Sequence, residues 1–266
     1  MSASLGRVWA IAVNSFREAI RNKVLYGIAV MAAVLTVVGA AIGSMSLHEE
    51  ARVARDVSVA GVSFFGMVTA VYLGVSMLYA EIQKKTIHTI LAKPIFRHEF
   101  VLGKYLGMVI TLTIMAGLFF SALLLQLYAH DTALTAPVMM AMLMGYAEVL
   151  VVAAIAVFFS SFSSPFLSGI FTVLLWLLGR WTDEISDAAA HSTIPAFRVI
   201  AGAGMRVIPD LHLFSISGSE LDGKHVSVHA TFVSWGYVGH AGLYALTWIA
   251  VLLVLASLIF RKRDFL

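Results

Sequence analysis

Residues 81–99, EIQKKTIHTILAKPIFRHE, run directly into residues 100–128, FVLGKYLGMVITLTIMAGLFFSALLLQLY, and the contrast between the two stretches decides how the chain folds. The second carries no charge except Lys104. A bilayer core takes about 20 apolar residues of helix, so residues 100–128 read as a membrane span. The first stretch is patterned differently. Ile87, Leu91 and Pro94 fall on one stripe at helical spacing with Ile90 beside it, and Lys84, Lys85 and His88 lie on the other side. Two spans are usually joined by a nondescript polar loop. An amphipathic helix at the mouth of a bundle instead offers a soluble partner something to push.

Working outward, five more runs meet the length of a span: 24–46, 57–79, 137–160, 164–179 and 231–260, with 164–179 the shortest. The expected fold is an all-α integral membrane protein in one domain, 1–266. It has six transmembrane helices, an N-terminal interfacial amphipathic helix (1–23) and a short cytoplasmic coupling helix (81–99). Composition agrees. The chain is 60% apolar and 12% charged, with a mean hydropathy of +0.91, whereas a soluble domain needs roughly a quarter of its residues charged. The absence of cysteine excludes disulfides, thiolate metal sites and cysteine nucleophiles. The basic balance, +3 with a pI near 9.2, does not point to nucleic acid. Its cations cluster at span ends, where anionic headgroups and orientation rules account for them.

Orientation follows from those cations. With both termini cytoplasmic, twelve Lys and Arg lie inside, and six lie outside: Arg52, Arg55, Arg180, Arg198, Arg206 and Lys224. An even number of spans agrees with that arrangement, so the expectation is a multi-pass protein of the cytoplasmic (inner) membrane. No cleavable signal pattern is visible at the start. Residues 5–23 put Val8, Ile11, Ala12, Ser15, Phe16 and Ala19 on one face, with Arg17 and Arg21 opposite. This reads as a helix in the cytoplasmic interface with its basic side toward the headgroups. Residues 180–230 form an extracytoplasmic segment, acidic at its start, helix-like from Phe197 to Val207, and expected to pack on the outer mouth.

Site chemistry is mostly excluded. There is no phosphate-cradling Gly-x-x-x-x-Gly-Lys-Ser/Thr, no His-Glu-x-x-His and no Gly-x-Ser-x-Gly. His212, His225 and His229 are the nearest thing to a metal set, with His225 and His229 one helical turn apart. Loop histidines at a wet surface are the plainer reading. Glu148 is the one acid near the middle of a span. It marks either a polar pathway or an interhelical contact made by a protonated or hydrogen-bonded carboxyl group. Glu81 ends the second span, where it favours the positive end of a following helix.

Taken together, these segments resemble the permeases of type-2 ATP-binding-cassette (ABC) exporters. The interfacial helix matches in Phe16-Arg17-Glu18-Ala19-Ile20-Arg21-Asn22-Lys23. The coupling stretch matches in Glu81, Lys85-Thr86-Ile87, Leu91, Pro94, Arg97, Phe100 and Gly103-Lys104, with Lys85 standing where the family often has Gly. The turn Ser160-Ser161-Phe162-Ser163-Ser164-Pro165, the Pro209-Asp210-Leu211 to Phe214 stretch and the Phe260-to-Phe265 ending are also similar. The likeness is greatest to six-span members without a fused ATPase, one of which serves the maturation exporter of nitrous-oxide reductase. It implies a permease that is not itself an enzyme and binds no cofactor of its own. ATP and Mg would sit on two copies of a separate ATPase subunit, and the permeases would pair as a homodimer or heterodimer among membrane lipids. It implies ATPase contacts through Glu81, Lys85, Thr86, Ile87, Leu91, Pro94 and Arg97. The rival class is an intramembrane enzyme or metal-handling protein built on Glu148 and the His212/His225/His229 group.

Overall fold

The computed structural model describes residues 2–44, 50–83, 96–129, 133–216, 220–221, 224–225 and 233–262. α1 (Ser2–Arg21) is the N-terminal amphipathic helix. α2 (Val24–Ser44), α3 (Glu50–Gln83), α4 (Arg97–Ala129), α5 (Ala136–Ser160), α6 (Pro165–Arg180) and α9 (Trp235–Lys262) follow the six apolar runs. Between α6 and α9 come α7 (Thr182–His191), α8 (Pro195–Val207) and a single 3-10 turn, His212–Phe214. The described residues contain one antiparallel pairing of two-residue strands, Glu220–Leu221 with Lys224–His225. The fold is all-α, as the apolar periodicity predicts.

By length and composition α3, α4, α5 and α9 each cross a bilayer unaided, and the total reaches six if the bent pairs α1–α2 and α6–α7 each count as one span. The two pairs differ physically. α2 has 21 residues, enough to cross by itself. α6 has 16, about 24 Å at 1.5 Å per residue, which falls short of a hydrocarbon core about 30 Å thick. The 61° bend between α1 and α2 is made at Lys23, whose φ of 59° is left-handed. There its N–H bonds the Ile20 carbonyl at 3.0 Å, the turn by which many helices end.

α5 is the central helix. Val149 and every residue from Val151 to Val157 are fully buried, because α3 and α9 cover it with help from α4 and α6. A helix apolar on all sides belongs in such a position. α1 is held just as closely. A Cβ at Gly107 of α4 would stand 2.6 Å from Ser15 Cβ and 2.8 Å from the Ala12 carbonyl oxygen, and one at Gly103 would stand 2.6 Å from Ile11 Cβ. The Gly103/Gly107 spacing thus lets the two backbones touch, as small residues one turn apart do in membrane bundles. Arg17 and Arg21 are exposed. The Ile11/Ala12/Ser15/Ala19 stripe, however, is spent on α4, and the neighbouring stripe of Leu5, Trp9 and Ile20 is the one left exposed.

After α8 the chain turns back onto the bundle. Leu211, Phe214 and Ile216 are buried, the Leu211 N–H bonds the Gly179 carbonyl at 2.8 Å, and a Cβ at Gly179 would lie 2.7 Å from the Pro209 carbonyl oxygen. From α9, the Tyr237 hydroxyl donates to the Leu213 carbonyl at 2.7 Å, and the Tyr244 hydroxyl accepts from the Asp210 N–H at 2.8 Å. Residues 209–216 therefore pack onto that end of the bundle.

Candidate functional site

Two polar centres stand at different levels of the bundle. The first lies at the start of α4, where the chain re-enters the bundle after residues 84–95. Phe96 precedes α4, and Glu99 is the third helical residue. From there its carboxylate reaches back to the Phe96 N–H at 3.2 Å, half of a capping box at the positive end of the helix. The rest of the carboxylate is held by α1. Arg7 Nε donates to Oε2 at 2.9 Å and Nη2 to Oε1 at 2.6 Å, while the Ser4 hydroxyl donates to Oε1 at 2.7 Å. This planar fork-to-fork pairing is the stronger kind of arginine–carboxylate contact.

Arg97, two residues earlier, points the other way. Its Nη1 donates to the carbonyls of Phe260 at 3.1 Å and Arg261 at 2.8 Å, satisfying the last turn of α9. The Phe100 and Phe260 rings stack at 5.8 Å. One turn on, the buried Lys104 lies 3.7 Å from Glu18 Oε2 and 5.7 Å from the Phe100 ring centre. The first turns of α4 are thereby tied to both α1 and α9.

The structure brings Arg97 and Glu18 into this node together. Arg17 and Arg21 stay on the exposed side of α1. Glu81 lies in the last turn of α3, which continues to Gln83, and Arg97 and Glu99 belong to α4. The described residues of the 81–99 stretch thus belong to α3 and α4, apart from Phe96. Lys85, Thr86, Ile87, Leu91 and Pro94 lie outside the described residues. Sequence reasoning missed Ser4, Arg7, Glu99 and Lys104 as members of the node. A signal for Glu99 was present: an acid one residue before an apolar run and three after Phe96. Nothing local pairs it with Arg7, which is 92 residues away.

The second centre is Glu148 in mid-α5. It is 1% exposed and fully engaged. The Ser63 hydroxyl of α3 donates to it at 2.6 Å, Trp176 Nε1 of α6 at 2.9 Å, and Arg180 Nη1 reaches both oxygens at 3.0 and 3.1 Å. Arg180 also donates to Ser63 Oγ at 2.7 Å and to Ser215 Oγ at 3.3 Å, and its guanidinium stands 5.8 Å from the Trp176 ring centre. The described partners of Glu148 come from α3 and α6, and the cation among them is an arginine that the basic-residue count places among the extracytoplasmic cations.

Of the histidine set only the His212 side chain is among the described residues. His212 Nδ1 lies 2.9 Å from Asp183 Oδ2, its N–H bonds Asp210 Oδ1 at 3.1 Å, and among the described residues no group of three or more His, Asp or Glu side chains is placed to hold a metal. The His225 side chain and His229 lie outside the described residues.

Four to six apolar helices, an amphipathic helix docked on them and a charged node at the start of α4 define a multi-pass membrane protein. The chain belongs to the ABC-2 family transporter proteins, whose family pattern matches residues 9–265. It is accordingly a permease component of the ABC transporter type and not in itself an enzyme, in a family generally paired with an ABC ATPase. A comparison with curated proteins finds no match.

Proposed function

We propose that the chain is the membrane-spanning subunit of an ATP-driven exporter of the six-span group without a fused ATPase, similar to the permease that serves nitrous-oxide-reductase maturation. Two copies would form the pathway in the cytoplasmic membrane, with all termini cytoplasmic, and would dock two copies of a separate ATPase carrying ATP and Mg. Residues 81–99 form the lever. The observation that carries this reading is the node at Phe96–Glu99. A push on residues 84–95 arrives at Arg97 and Glu99, which are tied to α9 and to α1. One displacement would therefore move three helices together, as rigid-body switching between two packings requires. The enzyme or metal-handling reading is not favoured. Every described partner of Glu148 is a side chain of the bundle itself, and His212 faces Asp183.

The test is Leu91→Asp in the complex with its ATPase. A charge on the Ile87/Leu91/Pro94 stripe is expected to weaken ATPase co-purification and to abolish transport-linked hydrolysis. Membrane insertion is expected to be normal, because the stripe lies outside the apolar runs. Unchanged association together with unchanged hydrolysis would reduce residues 84–95 to a connector and remove the physical basis of the proposal.

A further inference from the structure

Among the described residues, α8 packs on the protein along one side only. Ala201 is its one buried residue, and Gly204 and Met205 beside it are half-buried. Ala196, Ile200, Ala203 and Val207 follow the helical repeat down a second side. All four are exposed, Ile200 and Val207 to 70% and 71%. Arg198, Gly202 and Arg206 make the third side and are exposed as well. The two arginines are the only charged residues of the helix. One of them is held in place, since Arg198 donates through Nε and Nη2 to the Ser192 carbonyl at 2.8 and 2.6 Å. α8 thus divides into a face on the protein, an apolar face and a cationic face.

What surrounds α8 follows from the reach of α6 and α7. Measured from the turn at residues 161–164, the 16 residues of α6 climb about 24 Å. α7 has 10 residues and bends away by 63°, so it adds about 7 Å along the same direction. Together the two helices match a hydrocarbon core about 30 Å thick. His191 therefore arrives at the far boundary of the core, and α8 starts at Pro195, at the level of the lipid headgroups. At that level an apolar helix face enters the acyl chains, and cations beside it meet phosphates.

We propose that α8 lies in the membrane surface as an anchor for anionic phospholipid, with Ile200 and Val207 among the acyl chains and Arg198 and Arg206 on the phosphates. Charge favours this occupant over a second copy. Two copies meeting through α8 would bring four arginines together with no acid on either helix to offset them, whereas each anionic headgroup offsets one. A soluble partner would first have to displace the headgroups that already stand at this level. The proposal rests on α6 and α7 forming one bent span and is independent of the transport reading.

The experiment uses the full chain, which has no cysteine of its own. Ile200→Cys, Val207→Cys and Gly202→Cys are spin-labelled singly and reconstituted in vesicles of phosphatidylcholine mixed with phosphatidylglycerol. A Cβ at Gly202 meets nothing within 4 Å, so that label reports on the cationic face without strain. Collisions with oxygen, which concentrates among acyl chains, are compared with collisions with a water-soluble nickel chelate. Labels at 200 and 207 are expected to favour oxygen severalfold, and the label at 202 to favour nickel. In phosphatidylcholine alone, or with Arg206→Gln added in the mixed lipid, the labels at 200 and 207 are expected to shift severalfold toward nickel. Nickel dominance at 200 and 207 in both lipids would overturn the proposal and leave the face in water for a soluble partner. Shielding from both reagents would overturn it in favour of a protein cover, identified as a second copy if the labels broaden one another. Equal oxygen preference in both lipids, unmoved by Arg206→Gln, would overturn the assignment to anionic headgroups.

Discussion

Glu99 and Glu148 are equally buried and each faces an arginine, yet their surroundings set them to different tasks. Glu99 sits in the first turn of α4, where backbone N–H groups are unsatisfied and the helix dipole favours an anion, so part of its stabilisation is local. Glu148 sits in mid-helix, where every N–H is already bonded along the helix. All of its partners must come from elsewhere, and they come from α3 and α6. Arg180 then extends the cluster to Ser215 beyond α8. The lesson is one of position: a carboxylate at a helix end can serve a movable joint, while one in mid-helix becomes a fixed rivet.

The comparison breaks most sharply at the rivet. Arg180→Ala leaves the Glu148 carboxylate buried without its cation, a loss of about 3 kcal/mol, toward the lower end of the range for such pairs because the Arg180 side chain is 28% exposed. Glu148→Lys sets two cations against each other and is expected to be at least as harmful. The measurement is the thermal midpoint of the purified chain in detergent, and adding Glu148→Gln to Arg180→Ala should restore much of the loss. If Arg7→Ala lowered the midpoint as far as Arg180→Ala, the distinction between joint and rivet would be wrong.

A smaller effect is expected where α1 meets α4. Gly107→Leu forces a side chain into the Ala12 backbone and Ser15, a strain of about 1–3 kcal/mol if the interface holds. Relief by undocking of α1 would appear as faster proteolysis within residues 2–21, and an unaltered cleavage pattern with an unaltered midpoint would show that the contact is not close in solution. Glu148→Gln alone is milder than Glu148→Lys. The amide keeps an acceptor for Ser63 or Trp176 and leaves Arg180 partly hydrated, so a loss of about 1–2 kcal/mol is expected. Abolition of transport by Glu148→Gln with a normal midpoint would instead give the carboxylate a role in transport.

The least perturbing test concerns orientation. The chain has no cysteine, and Ala190 on α7 is exposed, so Ala190→Cys should leave stability unchanged. An impermeant thiol reagent is expected to label it in intact cells. Labelling only after lysis would reverse the proposed topology and place the Arg97 end of the bundle outside.

Much of the fold was legible from residue order alone, because spans and interfacial helices answer to lengths and periodicities that need no partner. The runs 100–128 and 137–160 lie within α4 and α5, offset by at most three residues at an end. Phe197 to Val207 falls inside α8. What remained hidden depended on contacts between residues far apart in the chain. Arg7 lies 92 residues from Glu99, and Arg180 meets a carboxylate in another helix. Which face of α1 is spent on α4 and which is left exposed follows from where Gly103 and Gly107 stand, not from the amphipathic pattern of α1. Sequence determined that this chain enters a membrane as helices, since burying apolar length is a local property. Only the tertiary structure decided which charges are paired and which helices would move together, since an ion pair or a packed interface exists only when two distant elements meet.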